Sequence, residues 1–366
     1  MSPCSDLADL PLISVVIPAY NAELWVTRTL SSVLAQTYRN LEVWVIDDGS
    51  IDRTAVVVEQ IIQQDGRVRL IRQANAGVAA ARNRGIQAAT GDWIAPLDAD
   101  DLWYPDHLAQ QVACAQAAPP TVGLIYSWSI DIDAADRPLQ GFHAAEIHGS
   151  VYPTLLCHNF LGNASCTLIR RSVLLAVGGY DQQFQARQVY GCEDWDLYLR
   201  IAAVAEFQVV PQFSVGYRKL TQSMSYQFDR MARSHALMLE KVRQQCPQLP
   251  PLLYRLSRSS LYLYFAHQCS AFQDDRQALH WLRAAVRADI SPWFRLGTYV
   301  LAAKSGFNLR RSRSTVAQPL DQATSVTQKG VPAKLPSRLK LGLKLLVGKT
   351  LHVSLARFDV AIPGVR

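Results

Sequence analysis

Asp98, Asp100 and Asp101 stand within four consecutive residues, directly after the apolar run 93–97. Carboxylates this close repel one another, and a divalent cation is the usual agent that offsets the repulsion. Oxygen ligands of this kind suit Mg²⁺ or Mn²⁺, which share one or two carboxylates with the phosphates of a substrate. The same residues also fit an acidic turn in which Asp101 caps a following helix. A second acidic group, Glu193, Asp194 and Asp196, opens an apolar helical pattern, where the helix N-terminus favours ionised carboxylates. Composition by itself reads that group as ordinary charge placement at a helix start. Asp47-Asp48-Gly49-Ser50 is a third acidic stretch. Asp48 can accept from a base edge and Asp98 from a ribose hydroxyl, but an Asx turn with a helix cap accounts for residues 47–50 equally well.

Stepwise alternation of pattern along residues 1–100 supplies the elements that would position these groups. Short β-branched runs at 13–18, 41–46, 68–71 and 93–97 read as buried strands. Between them, 24–36, 52–62 and 77–89 carry apolar or alanine-rich helical spacing. Strands alternating with helices over short connections predict a mostly parallel sheet flanked by helices. Loops 18–21, 47–50, 73–77 and 98–101 would then share the carboxyl edge, where open α/β sheets bind ligands. Beyond residue 105 the spacing predicts a helix to 118, a strand at 122–130, a polar surface excursion at 131–149, strands at 164–170 and 207–210, and a helix at 195–205. Trp128 reads as core.

The chain has 366 residues, 49% of them hydrophobic, enough for one large core and an appended segment. Its seven cysteines form no CxxC pair, which argues against zinc sites or a disulfide framework and fits a reduced cytosol. Neither a signal-peptide pattern nor an 18-residue apolar run is present, so a cytoplasmic chain without a membrane span is expected. From Lys304 onward twelve Lys and Arg face Asp321 and Asp359, so this tail holds a formal +10 and the rest −3. The basic balance belongs to the tail, and no nucleic-acid partner is expected of the body.

Four motifs in order, Ile13-Ser14-Val15-Val16-Ile17-Pro18-Ala19-Tyr20-Asn21, Val45-Ile46-Asp47-Asp48-Gly49-Ser50, Asn75-Ala76-Gly77 through Ala81-Arg82-Asn83-Arg84-Gly85, and Leu97-Asp98-Ala99-Asp100-Asp101, resemble family 2 glycosyltransferases of the GT-A fold. The resemblance spans roughly residues 12–225. It implies a nucleotide-sugar donor, UDP-linked since Asp48 would meet uracil, a Mn²⁺ or Mg²⁺ ion, and inversion at the anomeric carbon. Pro18, Ala19, Tyr20, Asn21, Glu23, Asp48, Gly77, Arg82, Asp98 and Ala99 would bind the donor. Asp100, with Asp98, would hold the metal. Asp194 would be the general base, Glu193 would position it or the acceptor, and Trp195 would meet the acceptor. Leu220 departs from the pattern, because many relatives carry His there; Arg218 or Lys219 would take over part of the pyrophosphate charge.

The expected organisation is a catalytic domain at 1–226, a helical appendage at 227–307, and a flexible linker with a basic tail at 308–366. Leucines interleaved with Lys340, Lys344 and Lys349 suit an amphipathic helix at an anionic membrane surface, at the inner face of the plasma membrane, although an edge strand or a solvated tail fits the same alternation. The expected activity is hexosyl transfer to a glycan or lipid-linked acceptor in cell-envelope polysaccharide synthesis. Two alternatives stand beside it. A nucleotidyltransferase would want a basic Gly-rich loop after the first strand, where residues 18–23 carry no basic residue. A catalytically inactive sugar-nucleotide-binding protein would not need Asp98, Asp100 and Asp194.

Overall fold

The computed structural model describes residues 10–220, 227–294, 296–312 and 338–356. The first half follows the expected alternation: β1 (Ile13–Ala19), α1 (Val26–Leu34), β2 (Leu41–Asp47), α2 (Thr54–Ile62), β3 (Val68–Arg72), α3 (Val78–Ala88) and β4 (Trp93–Pro96). Strands β1 to β4 are parallel neighbours, with Ile13 opposite Leu41 and Trp93, and Val43 opposite Val68. Their carboxyl ends therefore open onto one edge.

The second half is mixed rather than parallel. It comprises β5 (Leu102–Trp103), α4 (His107–Ala117), β6 (Val122–Ile132), β7 (Pro138–His143), α5 (Tyr152–Cys157), β8 (Thr167–Arg170), α6 (Arg171–Ala176), α7 (Gln183–Ala186), α8 (Glu193–Ala202) and β9 (Glu206–Arg218). The sheet order is β3-β2-β1-β4-β8-β6-β9-β5, with β7 paired to β6. β8 runs antiparallel to both β4 and β6, and β5 antiparallel to β9. An antiparallel neighbour needs no helical crossover, so the loosened pattern after residue 105 is its counterpart in sequence. The strand expected at 207–210 is thirteen residues long and ends at Arg218, beside the acidic loop. The stretch 131–149 is not a surface excursion: β7 pairs with β6, and Phe142, Ala144, Ala145 and Ile147 are buried.

Apolar layers cover both faces. Val26, Leu30, Val33, Val58, Leu108 and Val112 close one face. On the other, Ile86, Leu155, Leu197 and Ile201 form a cluster that continues without a break into α9 (Phe228–Gln245), α10 (Pro251–Ala271) and α11 (Asp275–Ala288). Burying these side chains contributes roughly 1.5–3 kcal/mol each, so the appendage shares the catalytic domain's core. Asp196 reinforces the join, pairing with Arg200 at 2.9 Å and with Lys241 of α9 at 2.6 Å.

α12 (Leu296–Ser312) runs past the boundary expected at 307, and the linker expected at 308–337 otherwise lies outside the described residues. The tail forms α13 (Arg338–Leu355), and it is docked. Leu341, Leu345, Leu351 and Leu355 fall at helical spacing; the first two pack beside Trp128, Phe142 and Ala144, the others on the core near α5. Thr154 Oγ1 and His352 Nδ1 meet at 2.8 Å.

Candidate active site

The four loops do meet at the carboxyl edge of β1 to β4. Asn21, two residues past β1, has a positive φ of 49°, and its backbone N–H donates to Ser50 Oγ at 3.0 Å while its Oδ1 accepts from Ile51 N at 2.9 Å. Tyr20 is thereby left 53% exposed at the cavity rim. Asp48 is buried; Oδ1 accepts from Gln73 Nε2 at 2.8 Å and Ala76 N at 2.9 Å, and Oδ2 from Gly77 N at 2.8 Å. The carboxylate thus moulds the 73–77 turn before any ligand arrives. Gly77 has φ 86°, and a Cβ there would come within 2.7 Å of the Gln185 side chain.

The acidic loop splits into two functions. Asp101 is fully buried, accepting from Ser165 Oγ at 2.6 Å and Arg218 N at 2.8 Å. It caps no helix, because β5 follows and α4 begins at His107. Asp98 and Asp100 line the cavity instead. Burial and the charge of Asp98 push the Asp100 carboxyl up to about 6, with Arg218 offsetting part of the effect.

One guanidinium joins this loop to the second acidic group. Arg82, on α3, is buried and lies over the Tyr180 ring at 5.0 Å. Its Nη2 sits 2.5 Å from Asp98 Oδ1 and its Nη1 2.6 Å from Asp194 Oδ1. Burial raises the Asp194 pKa, Arg82 opposes that rise, and Asp98 adds to it. Glu193 beside it accepts from Gly191 N at 2.7 Å, and burial pushes its carboxyl up to about 7. All these groups face one cavity of about 1600 Å³.

The donor set fits a divalent cation. Asp98 and Asp100 offer hard oxygens with excess negative charge toward the cavity, and two carboxylates shared with phosphate oxygens are a normal Mg²⁺ or Mn²⁺ environment. Among the described residues no group of three or more His, Cys, Asp and Glu side chains forms a complete protein cage. Leu220 lines the cavity with an apolar side chain.

Residues 14–178 match the model of Glycosyl transferase family 2. The chain carries a family 2 glycosyltransferase domain. It is similar to an uncharacterized glycosyltransferase of Rickettsia felis, 31% identical over 193 residues, covering 52% of this chain and 30% of that protein. It is 44% identical over 105 residues to an uncharacterized glycosyltransferase of Haemophilus influenzae, covering 28% and 42%. The chain therefore spans less than half the length of these curated relatives. Among solved structures, S. aureus TarS 1-349 in complex with UDP superposes with TM-score 0.54 at 16% identity, over 85% of this chain and 94% of that one. The mannosyltransferase PcManGT from Pyrobaculum calidifontis, in complex with GDP-Man and Mn²⁺, gives 0.51 at 20%, over 83% and 86%. The shared fold is GT-A.

The expected residues fall into four sets. Pro18, Ala19, Tyr20, Asn21, Asp48, Gly77, Arg82, Asp98, Ala99, Asp100, Glu193 and Asp194 line the one cavity. Glu23 does not; its carboxylate accepts from Arg53 N at 2.9 Å and its own N–H is held by Asp52, so it braces the β1 and β2 loops. Trp195 reaches the cavity wall from the core, 4% exposed, its indole N–H donated to Leu155 O at 2.8 Å and its ring against His235. That leaves it no open face for sugar stacking. Arg218 is spent on Asp100 O, Asp133 O and Asp136, and Lys219 is buried 3.9 Å from Asp131, so neither is free for pyrophosphate. Sequence reasoning missed the Arg82 bridge and the cavity contribution of α13, since neither has a local signature.

The raised Glu193 pKa has a stability consequence. The folded value of about 7 exceeds the ordinary 4.5, so its contribution is full below pH 4.5 and is lost as pH rises through 7. Glu193→Gln should flatten the decline of Tm between those pH values. Parallel parent and variant curves in a calorimetric pH series would show that Glu193 is not so perturbed.

Proposed function

We propose that this chain is an inverting glycosyltransferase that moves a hexosyl group from a nucleotide sugar to a hydroxyl of a glycan or lipid-linked acceptor. The observation that carries it is the Arg82 fork, which brings the base candidate Asp194 and the acidic loop residue Asp98 to one point in one cavity. Solved neighbours with UDP, UDP-GlcNAc and GDP-Man support a nucleotide-sugar donor, and Mn²⁺ in two of them supports a divalent ion. A UDP-linked donor is the form the family resemblance implies, with Asp48, held by Gln73 Nε2, Ala76 N and Gly77 N, shaping the 73–77 turn beside the nucleoside.

In this reading the loops after β1 and β2 and the Gly77 turn seat the nucleoside. Asp98 and Asp100 would hold the ion, which when bound would neutralise the departing diphosphate. Asp194 takes the acceptor hydroxyl proton while that oxygen bonds to the anomeric carbon and the diphosphate oxygen leaves with the bonding pair. Charge builds on the ring as in glycoside hydrolysis. Arg82 keeps Asp194 oriented and ionised. One base and no enzymic nucleophile give inversion. The nucleotidyltransferase alternative is disfavoured by a β1 loop whose N–H and amide groups are already engaged by the β2 loop.

Incubation with a panel of nucleotide sugars and Mn²⁺ tests the reading. Release of free nucleoside diphosphate from one of them supports it; none released, with nucleotide bound, points to the inactive binding protein. Product configuration by NMR tests inversion.

Action at the cytoplasmic face of an anionic membrane belongs to the same proposal. No helix among the described residues is long and apolar enough to cross a membrane. With four leucines of α13 packed on the body, surface binding would rest on exposed Leu346, Val347 and Val353 with Lys349. The full chain should pellet with anionic vesicles at low salt, and serines at those three apolar positions should release it. Equal pelleting of parent and variant would remove α13 from the membrane contact.

A further inference from the structure

Asp48 gives three of its carboxylate's roughly four lone-pair sites to the 73–77 turn, through Gln73 Nε2, Ala76 N and Gly77 N. A nucleoside seated against that turn therefore needs another polar partner if its base is to be read. One side chain reaches the turn from more than a hundred residues downstream. Gln185, on α7, lines the cavity beside Gly77, and a Cβ on Gly77 would stand 2.7 Å from its Oε1 and 3.1 Å from its Nε2. Glycine at 77 thus serves the turn's positive φ and also leaves room for the amide.

Packing fixes the amide over the turn. Asn83 of α3 holds Tyr180 by both backbone groups, donating from Nδ2 to Tyr180 O at 2.7 Å and accepting Tyr180 N on Oδ1 at 2.8 Å. Asp181 pairs with Lys241 of α9 at 2.7 Å, and Phe184 is fully buried in the core. α3 starts at Val78, directly after Gly77, so the helix that anchors the segment before α7 also carries the turn. Gln185 is therefore preorganised, and little ordering entropy is left for a ligand to offset.

We propose that Gln185 is a specificity-determining residue for the donor, its amide hydrogen-bonding the edge of the base seated at the Gly77 turn. The side chain presents an acceptor oxygen next to an N–H donor. That pair matches the imide edge of uracil, where an N–H adjoins a carbonyl. The segment then runs on to Glu193 and Asp194, which face the same cavity, so one stretch of chain would read the donor and supply the base for the acceptor. The proposal rests on the reading that a nucleotide-sugar donor occupies this turn.

The test uses the full chain with Mn²⁺ in every sample. UDP, CDP, GDP, ADP and inorganic pyrophosphate are titrated by calorimetry, so that the share of the diphosphate and its ion cancels in the ratios. The parent should prefer one base over the others by about tenfold or more, the margin expected where a polar site rejects a mismatched edge. Gln185→Leu, close in volume and without either hydrogen bond, should narrow that margin about tenfold and leave pyrophosphate affinity unchanged. Gln185→Glu keeps an acceptor but loses the donor, and should narrow it as well. Gln185 is half-buried on a four-residue helix, so neither replacement empties a core position, and melting curves check this. A parent without base preference, an unchanged margin in both variants, or an equal loss for pyrophosphate each overturns the role of Gln185. Nucleotides bound with an unchanged margin remove Gln185 and spare the donor reading. A parent that binds none of the nucleotides removes the donor reading and the role of Gln185 with it.

Discussion

Replacing Asp194 by Asn should leave nucleotide-sugar affinity near the parental value and cut transfer by about 10²–10⁴-fold, the usual contribution of a general base. The loss should be large because no second base is placed to substitute. Glu193 is tied to Gly191 N, and Asp98 shares the Arg82 fork. Asn at 194 still accepts from Arg82 Nη1, so the bridge from α3 to α8 survives as a hydrogen bond while the proton acceptor is lost. Single-turnover rates with the true acceptor, beside donor titration, decide the matter. Near-parental turnover would make Asp194 a helix-start carboxylate and nothing more, and a retained anomeric configuration would independently exclude direct displacement.

The second large effect is expected at Asp100. Asp100→Asn should abolish the enhancement of nucleoside diphosphate binding by Mn²⁺ while leaving the metal-free affinity unchanged. Asp98 is already bridged by Arg82 in the absence of ligand, but Asp100 faces the cavity with its charge only partly offset by Arg218. In the proposed reading, removing that charge would take away the ion's stronger protein ligand without emptying any packed position. The measurement is calorimetric titration of UDP with and without Mn²⁺. Equal enhancement in variant and parent would end the metal assignment, and a melting curve guards against a folding defect.

Much of the site was legible in sequence because its parts are local. A β-branched run followed by a polar turn places the turn at a strand end, and four such runs joined by short helices place four turns on one edge. Hence loops 18–21, 47–50, 73–77 and 98–101 were located from period and connection length, with the order of motifs supplying the family. The helix opened by Glu193 and Asp194 was visible in the same way. Glu23 was misjudged because adjacency in a loop says nothing about which side of the loop a carboxylate faces. Trp195 lines the cavity wall with its indole largely buried, and an aromatic on a helix start has no sequence mark separating a ligand platform from a core residue.

What tertiary structure alone decided lies across long separations. The Arg82 fork spans 112 residues to Asp194, and both charges and their geometry depend on how α3 and α8 pack on one face of the sheet. Lys344 reaches Phe142 over 202 residues. The leucine and lysine alternation near residue 340 was compatible with strand, free helix or disordered tail. It became a docked helix because Leu341, Leu345, Leu351 and Leu355 find apolar partners on a body folded from residues far upstream. The antiparallel half of the sheet is also a matter of long-range pairing, with β8 between β4 and β6 and antiparallel to both. Local periodicity determines an element and its ends; which elements meet is determined by the burial and charge pairing that the whole chain can satisfy at once.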